Sequence, residues 1–312
     1  MGTRVQVITY TTPALDEAAT RAVVERAYAE MRVLEERMSE WRDDSEVSRI
    51  NQRAGKAVVV SKDTFDVIKK GMWAGWISHG TFDITFGPLG DLWKFGDAAE
   101  ADPRPPSRAQ VEARKALVDF RQVRLDNVTH GVTIPKGNKL GLGGIAKGFI
   151  VDRAAEVLRK GGLTSFLVQA GGDLYGAGKK PDGSLWVSGI QDPRGKTGSF
   201  FATLELTDHA FSTAGDYARA FIKDGKRYHH ILDPRTGYPA DACRSVTIWA
   251  KDALTADAVD DGVFILGPER GMEIVEALPD VGAVIVDKHN KVWISKRLTG
   301  RVRILHTPTD GL

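Results

Sequence analysis

Residues Lys139 to Arg159 read KLGLGGIAKGFIVDRAAEVLR, a glycine-dense turn that leads directly into an amphipathic helix. Ile145, Phe149 and Val157 recur near helical spacing and so predict the buried face of that helix. Glycines cluster where the helix would begin, at Gly141, Gly143, Gly144 and Gly148. The free N–H groups and positive dipole end of a helix N-terminus suit an anion, and Lys147 adds a mobile charge beside them. The stretch therefore predicts a turn that binds a phosphate or diphosphate.

Three interpretations of this turn compete. The P-loop pattern G-x-x-x-x-G-K-[ST] fails, because Lys147 follows Ala146 and precedes Gly148. The weaker dinucleotide pattern G-x-G-x-x-A fits Gly141 to Ala146 and would indicate a nicotinamide-dependent oxidoreductase. The next predicted strand, SFLVQAGGDL, ends in a Gly-Gly-Asp turn and offers no obvious ribose-binding acid. The third interpretation is purely structural, a glycine turn before a core helix.

The composition describes an ordinary globular protein. The 312 residues are 42% hydrophobic and 27% charged, which allows one large domain or two modest ones. The net charge of +2 and the interleaving of acids and bases argue against a nucleic-acid partner. No apolar run reaches the roughly 18 residues of a membrane span, and no secretory signal is recognisable. The single Cys243 excludes an internal disulfide and a cysteine-based zinc site.

The order of elements indicates an α+β fold. One helix is predicted from a Thr12-Pro13 start to about Met38, and another after a Ser61 cap. TFDITFGPLGDLWKFG, residues 81–96, suits a strand that leads into a pocket-lining loop. Asp-Gly pairs at 182–183 and 224–225 predict hairpins. Antiparallel hairpins with a few flanking helices differ from a doubly wound βαβ array, and this argues against the oxidoreductase.

Three aspartates predict a metal site. Asp257, Asp260 and Asp261 stand at i, i+3 and i+4 on a helix that Thr255 is expected to cap. Like charges at this spacing repel one another unless something offsets them, and a hard divalent cation would do so. The alternative is that acids in a first helical turn only complement the helix dipole. A nearby diphosphate favours the metal, because Mg²⁺ usually binds through one or two carboxylates plus substrate phosphates.

A histidine pair completes the set of polar clusters. In RYHHILDPRTGYP, His229 and His230 precede a stiff Asp-Pro-Arg-Thr-Gly turn that could hold a base beside a ligand. A strand histidine is more commonly structural. A phosphate-binding turn, an acidic metal site and a base are nevertheless the minimum parts for metal-assisted phosphoryl transfer.

The motifs, in order, are MGT, MSEWRDDSEVSRIN, TFDITFGPL, GLGGIAKGFIVDRA, LVQAGGDLYGAG, FSTAGDYARAF, HHILDPRTGYPA and ADAVDDGVFILG. This series resembles the ApbE family of flavin transferases, the FAD:protein FMN transferases, from Met1 to about Ile285. The resemblance implies an α+β fold of the tunnelling type, as a single domain over 1–312 or as two lobes with the FAD site between them. It also implies that Mg²⁺ is required, that FAD donates FMN to a Ser or Thr hydroxyl of a target protein, and that AMP leaves.

The resemblance also assigns residues, position by position. It implies FAD contacts at Met1, Trp41, Thr81, Phe82, Asp83, Gly141, Lys147, His230 and Leu232. It implies metal ligands at Gly144, through its carbonyl, and at Asp257 and Asp261, whereas Asp260 rests on the shared helical face alone. His230 is the predicted catalytic base.

Three positions depart from the family pattern. Gly141 stands where Asp is frequent and removes a possible adenosine contact, Asp261 replaces a common Thr and adds a carboxylate, and Ala214 replaces a usual Ser. The chain begins inside the family's first strand region, so a leader is expected to have been trimmed or the start to be unusually late. The family context implies a bacterial extracytoplasmic enzyme, periplasmic or lipid-anchored. Two further functions stay open: an FAD diphosphatase giving FMN and AMP, and a non-catalytic FAD-binding protein.

Overall fold

The computed structural model describes residues 2–95 and 103–311. Met1, a predicted FAD contact, lies outside these described residues. Along the chain the helices are α1 Glu17–Met38, α2 Glu46–Gln52, α3 Lys62–Ile77, α4 Gly87–Gly90, α5 Arg108–Lys115, α6 Ala146–Lys160, α7 Ala253–Leu266 and α8 Pro268–Ala277.

The strands are short and numerous. In chain order they are β1 Val5–Thr9, β2 Val58–Val59, β3 Arg124–Asp126, β4 Gly131–Thr133, β5 Phe166–Ala170, β6 Asp173–Ala177, β7 Trp186–Gln191, β8 Phe200–Leu206, β9 His209–Gly215, β10 Ala220–Lys223, β11 Lys226–His229, β12 Leu232–Asp233, β13 Tyr238–Pro239, β14 Cys243–Ala250, β15 Gly282–Asp287, β16 Val292–Ile294 and β17 Val302–Ile304.

A seven-stranded sheet organises the fold, in the order β1-β5-β6-β9-β14-β15-β16. Each neighbouring pair in it is antiparallel. Smaller sheets are β17-β8-β7, β2-β4-β3, and the pairs β10-β11 and β12-β13. The predicted α+β class with antiparallel sheets is therefore confirmed. The antiparallel pairing also removes the doubly wound fold on which the oxidoreductase interpretation depended.

The large sheet is covered on both faces. Alternate residues of β5, such as Phe166 and Val168, pack with α1 and α6, and Val246 and Ile248 of β14 pack with α7. Residues of the opposite face, including Trp249, pack against the β17-β8-β7 sheet. Every residue of β14 and β15 is buried, because a strand between two layers has no solvent face.

Two local predictions in the first third of the chain are wrong. Helix α1 begins at Glu17 with Asp16 as its N-cap, whose carboxylate accepts from the Ala19 N–H, and not at Pro13. Residues 81–95 form turns and the short helix α4, not a strand. The Asp83 carboxylate accepts from Thr85 N–H and Phe120 N–H, and this local bonding replaces a strand ladder.

Two predictions in the second half also need correction. The Asp182–Gly183 turn joins β6 to β7, which belong to different sheets, so it makes no hairpin. The Asp224–Gly225 hairpin is confirmed, with Lys223 opposite Lys226. Helix α7 is capped by Asp252, not Thr255; the Asp252 carboxylate accepts from Thr255 N–H at 2.7 Å. The three aspartates consequently start one turn inside α7.

Among the helices of the described residues, none has both the length and the apolar character that crossing a bilayer requires. Helices α6 and α7 cross on the large sheet beside the start of β6 and the middle of β9. All four elements contribute polar side chains to that crossing.

Candidate active site

The glycine turn before α6 is held by bonds to two distant segments. The Gly141 N–H donates to Ile84 O at 2.8 Å, and the Gly87 N–H donates to Lys139 O at 3.2 Å. The Asn51 side chain pairs with both backbone groups of Leu140, at 2.8 and 3.0 Å. The predicted turn and helix are therefore present, and the turn is fixed in place before any ligand binds.

Gly148 lets the two site helices approach one another. A Cβ at this position would lie 2.2 Å from Ala253 O and 2.8 Å from the Asp257 Cβ, so any side chain would force α6 and α7 apart. The close approach lets the Gly148 N–H donate to Asp257 Oδ2 at 2.8 Å. One free N–H of the α6 N-terminus is thus used to hold a carboxylate.

Lys147 lies between two buried carboxylates. Its Nζ donates to Asp257 Oδ1 at 2.9 Å and lies 3.0 Å from Asp173 Oδ2. The contact with Asp173 is an ion pair that lacks hydrogen-bond alignment, so within the described residues Asp173 Oδ2 has no hydrogen-bond partner. Both aspartates are almost fully buried, whereas the Lys147 side chain is 32% exposed. The ammonium therefore pairs with two buried carboxylates while part of the Lys147 side chain is exposed to solvent.

Ser212 of β9 joins the remaining acids. Its hydroxyl contacts Asp173 Oδ1 and lies 2.6 Å from Asp260 Oδ2. A hydroxyl has one proton to donate, so both contacts are hydrogen bonds only if one of the two carboxyl groups carries a proton. The Asp261 N–H donates to Asp260 Oδ1 at 2.6 Å.

The carboxyl groups of this cluster carry more negative charge than the one nearby ammonium can offset. Burial raises the pKa of Asp257 to about 7, and the Asp173 charge adds to this effect. Burial, with the charges of Asp261 and Asp257, raises the pKa of Asp260 well above its ordinary value. Burial alone would lower the pKa of Lys147, but Asp173 and Asp257 outweigh it and hold the ammonium charged. One cation does not offset four carboxyl groups, so part of the cluster takes up protons.

A divalent cation fits these residues. Within the described ranges, carboxylate oxygens of Asp173, Asp257 and Asp260 lie within 4.8 Å of one another, a grouping that could hold a metal ion. Asp261 lies at the glycine turn, because a Cβ at Gly144 would be 3.0 Å from Asp261 Oδ2. Burial raises the pKa of Asp261 to about 6. Hard oxygen ligands and unmet negative charge are what such a cation requires.

The two histidines differ in their contacts. His229 is buried; its Nε2 lies 2.7 Å from Ala240 O, and its Nδ1 accepts from the Ile231 N–H. Both ring nitrogens of His229 are therefore used by the fold. His230 Nδ1 is buried and has no hydrogen-bond partner in the described part of the chain. Burial lowers the pKa of His230 to about 4, so its ring is neutral at pH 7.

The predicted FAD contacts fall into two groups. Trp41 is 85% exposed, so its indole is available to a ligand. Thr81, Phe82 and Asp83 are buried beneath the glycine turn: the Phe82 ring lies 3.4 Å from a Cβ built at Gly144, and Thr81 Oγ1 donates to Gly262 O. The predicted contact between this segment and FAD would therefore be made by backbone atoms. Leu232 is buried in a cluster with Leu89, Trp93 and Val111.

The structure brings Lys147, Gly144 and the three predicted aspartates to one place. Asp173 and Ser212 are absent from the predicted site, although they complete the carboxylate cluster. The signal for Asp173 was the Gly-Gly-Asp turn after the predicted strand, which was interpreted only as a turn. Ser212 carries no sequence signal, because only strand pairing brings β9 beside β6.

Comparison with known proteins identifies the family of the chain. Residues 1–285 match the ApbE family. A FAD:protein FMN transferase of Vibrio cholerae serotype O1 is 37% identical over 251 residues, which cover 79% of this chain and 75% of that protein. A FAD:protein FMN transferase of Klebsiella pneumoniae is 33% identical over 277 residues, which cover 88% and 85% of the two chains. The crystal structure of the ApbE protein from Thermotoga maritima superposes with a TM-score of 0.85 at 33% identity and covers 97% of this chain and 96% of its own. The chain therefore belongs to the ApbE family, as the resemblance of its motifs predicts.

Proposed function

We propose that this protein is a Mg²⁺-dependent FAD:protein FMN transferase, which moves FMN from FAD to a Ser or Thr hydroxyl of an acceptor protein. The observation that carries the proposal is the buried carboxylate cluster around Lys147, directly beneath the glycine turn at the N-terminus of α6. Relatives that share most of this chain carry that enzyme name. An anion-binding turn beside a cation site suits a substrate with a diphosphate.

The reaction exchanges the phosphoanhydride bond of the FAD diphosphate for a phosphate ester bond to the acceptor protein. The acceptor oxygen forms a bond to the phosphorus of the FMN half of FAD. The bond from that phosphorus to the bridging oxygen breaks, and AMP leaves with the bridging oxygen. The hydroxyl proton goes to a base, and the developing negative charge lies on the phosphoryl oxygens.

Asp257, Asp260, Asp261 and Asp173 would hold the metal, together with the Gly144 carbonyl at the edge of the turn. Bound Mg²⁺ would supply positive charge to the diphosphate oxygens. The choice of Mg²⁺ rests on the all-oxygen ligand set and on the family resemblance.

Lys147 offsets the negative charge of the substrate diphosphate. Its side chain is partly exposed at the glycine turn, so its ammonium can meet a diphosphate there as a point charge. In doing so it stays paired to Asp257, so the lysine links the substrate to the metal ligands.

His230 is the base in this proposal. Its free Nδ1 is neutral at pH 7, which is the state that accepts a proton. His229 does not compete for this role, because both of its ring nitrogens bond to backbone. The exposed Trp41 borders the flavin side of the site.

One assay tests the function. The protein is incubated with FAD, Mg²⁺ and a protein carrying a flavinylatable Ser or Thr; covalent flavin on the acceptor and one AMP per flavin transferred are expected. FMN and AMP released without covalent flavin would replace the transferase with an FAD diphosphatase. FAD binding with neither product would leave a non-catalytic flavin-binding protein. The proposed location is extracytoplasmic; its support is the family resemblance, and fractionation of the native host tests it.

A further inference from the structure

Glu40 lies directly against the glycine turn. It follows the end of α1 by two residues and precedes the exposed Trp41. A Cβ built at Gly141 would lie 2.8 Å from Glu40 Oε2, and one at Gly143 would lie 3.5 Å from Glu40 Oε1. Both carboxylate oxygens therefore face the turn, and glycine at 141 leaves the room that this carboxylate occupies.

The Glu40 carboxylate lacks a structural partner. Across residues 2–95 and 103–311, no group donates a hydrogen bond to it and no cation lies at ion-pair distance. The nearby Lys139 already pairs with Asp91, whose Oδ1 lies 2.6 Å from its Nζ. Burial raises the pKa of Glu40, and the charge of Lys139 only partly offsets this. Neither oxygen is among the fully buried polar atoms without a partner, so both keep contact with solvent, and a ligand that displaces this water must supply donors in its place.

The missing partner must be a group that donates hydrogen bonds. A phosphate is excluded, because it brings negative charge and acceptor oxygens to a carboxylate. Adjacent hydroxyl groups fit, since a carboxylate with two free oxygens can accept from both; dinucleotide-binding proteins recognise ribose through an acid in this way. FAD offers such hydroxyls in two places, the ribose of its adenosine and the ribityl chain of its flavin.

We infer that Glu40 binds vicinal hydroxyl groups of FAD and so fixes the position of the dinucleotide over the glycine turn. The inference rests on the proposed FAD substrate. It makes Glu40 a positioning residue, since its carboxylate bonds to the substrate away from the reacting phosphorus. It also accounts for Gly141: a methyl group there would displace the carboxylate or the Phe86 ring, which lies 2.7 Å from the same Cβ position.

The test compares Glu40→Ala and Glu40→Gln with Glu36→Gln, a control on the exposed face of α1. Dissociation constants for FAD, ADP and FMN are measured with Mg²⁺ by calorimetry, and melting temperatures check folding. Glu40→Ala is expected to weaken FAD binding by about tenfold or more, the range for hydrogen bonds to a charged group. Glu40→Gln keeps the shape and one acceptor, so a smaller loss is expected, and Glu36→Gln should have no effect.

ADP carries the adenosine ribose of FAD and FMN carries its ribityl chain, so these two ligands identify which hydroxyl groups bind Glu40. Loss of ADP affinity with FMN unchanged assigns the ribose, and the reverse assigns the ribityl chain. Unchanged FAD affinity in Glu40→Ala, or tighter binding of all three ligands, would overturn the inference and make Glu40 only a repulsive charge. Failure of the proposed transferase function would be seen in a different experiment. Wild-type protein that binds FAD but releases no AMP fails the product assay, and the comparison of FAD affinities between wild type and the Glu40 variants can still be made.

Discussion

The Lys147 ammonium donates to one oxygen of Asp257 at 2.9 Å, while the N–H of the next residue donates to the other oxygen at 2.8 Å. Two consecutive residues of α6 thus clamp one carboxylate of α7. The clamp depends on Gly148, because only glycine allows the helices to meet there. The glycine turn and the acidic cluster are therefore directly connected.

Asp257→Asn should abolish most activity and also lower stability, because the amide has one acceptor for the Lys147 and Gly148 donors. The amide has the same shape but lacks the negative charge that a cation requires, so metal affinity should fall by about 10- to 100-fold or more. AMP release is measured as a function of Mg²⁺ concentration, with Glu269→Gln on exposed α8 as the matched control. Wild-type rates in Asp257→Asn, or activity that survives a chelator, would contradict the metal role.

Lys147→Met should weaken FAD binding and turnover together. The diphosphate charge that Lys147 meets is present in both ground and transition states, so loss of about tenfold or more in affinity is expected alongside slower AMP release. The variant should also melt at a lower temperature without metal, since the acids lose their cation. Mg²⁺ should restore more stability to the variant than to wild type. A change in turnover alone, with FAD affinity kept, would argue against the diphosphate contact.

His230→Ala and His229→Ala should separate chemistry from structure. A base matters only as the new bond forms, so His230→Ala should lower kcat by about 10²–10⁴-fold and spare FAD affinity. His229→Ala leaves Ala240 O and the Ile231 N–H unpaired and should cost about 1–3 kcal/mol of unfolding free energy. Single-turnover rates and denaturant unfolding measure the two effects. If His230→Ala lost FAD affinity but kept the wild-type turnover at saturating FAD, His230 would line the flavin pocket and would not be the base.

Trp41→Ala should weaken FAD binding by about 0.5–1.5 kcal/mol, the range for an aromatic contact. The indole is 85% exposed, so its removal should not lower the melting temperature. With seven tryptophans in the chain, quenching of fluorescence alone is not decisive. Trp76→Ala, an exposed tryptophan of α3, serves as the control. Equal FAD affinities in wild type, Trp41→Ala and Trp76→Ala would mean that Trp41 is an ordinary exposed loop residue without a contact to FAD.

The sequence predicts well what depends on local pattern. The α6 helix follows from its apolar spacing, and the acidic helix face from aspartates at i, i+3 and i+4. Asp173 and Ser212 depend on strand order, which antiparallel pairing of β6 with β9 decides and no local pattern reveals. The α7 start was misplaced because Asp252 and Thr255 are both good caps, and the carboxylate of Asp252 takes the Thr255 N–H. The single-domain boundary and the roles of the site residues stay predictions.

Asp152 should make stability depend on pH in a defined direction. This α6 residue accepts from the N–H groups of Ala253 and Leu254, both at 2.8 Å, yet burial outweighs these donors and raises its pKa to about 7. Between the unfolded value of about 3.9 and about 7, the native state therefore holds one proton more than the unfolded state. Its contribution to stability is full at low pH and is lost as pH rises through about 7, at up to about 1.4 kcal/mol per pH unit.

Asp257 and Asp261 titrate in the same window, so the measurement is the difference in unfolding free energy between wild type and Asp152→Asn from pH 4 to pH 8. The variant is expected to be less stable at low pH, because an amide has one acceptor for two N–H groups, and the gap should narrow as pH rises. A gap that widens with pH would mean that the two helix N–H groups hold Asp152 ionised in the fold.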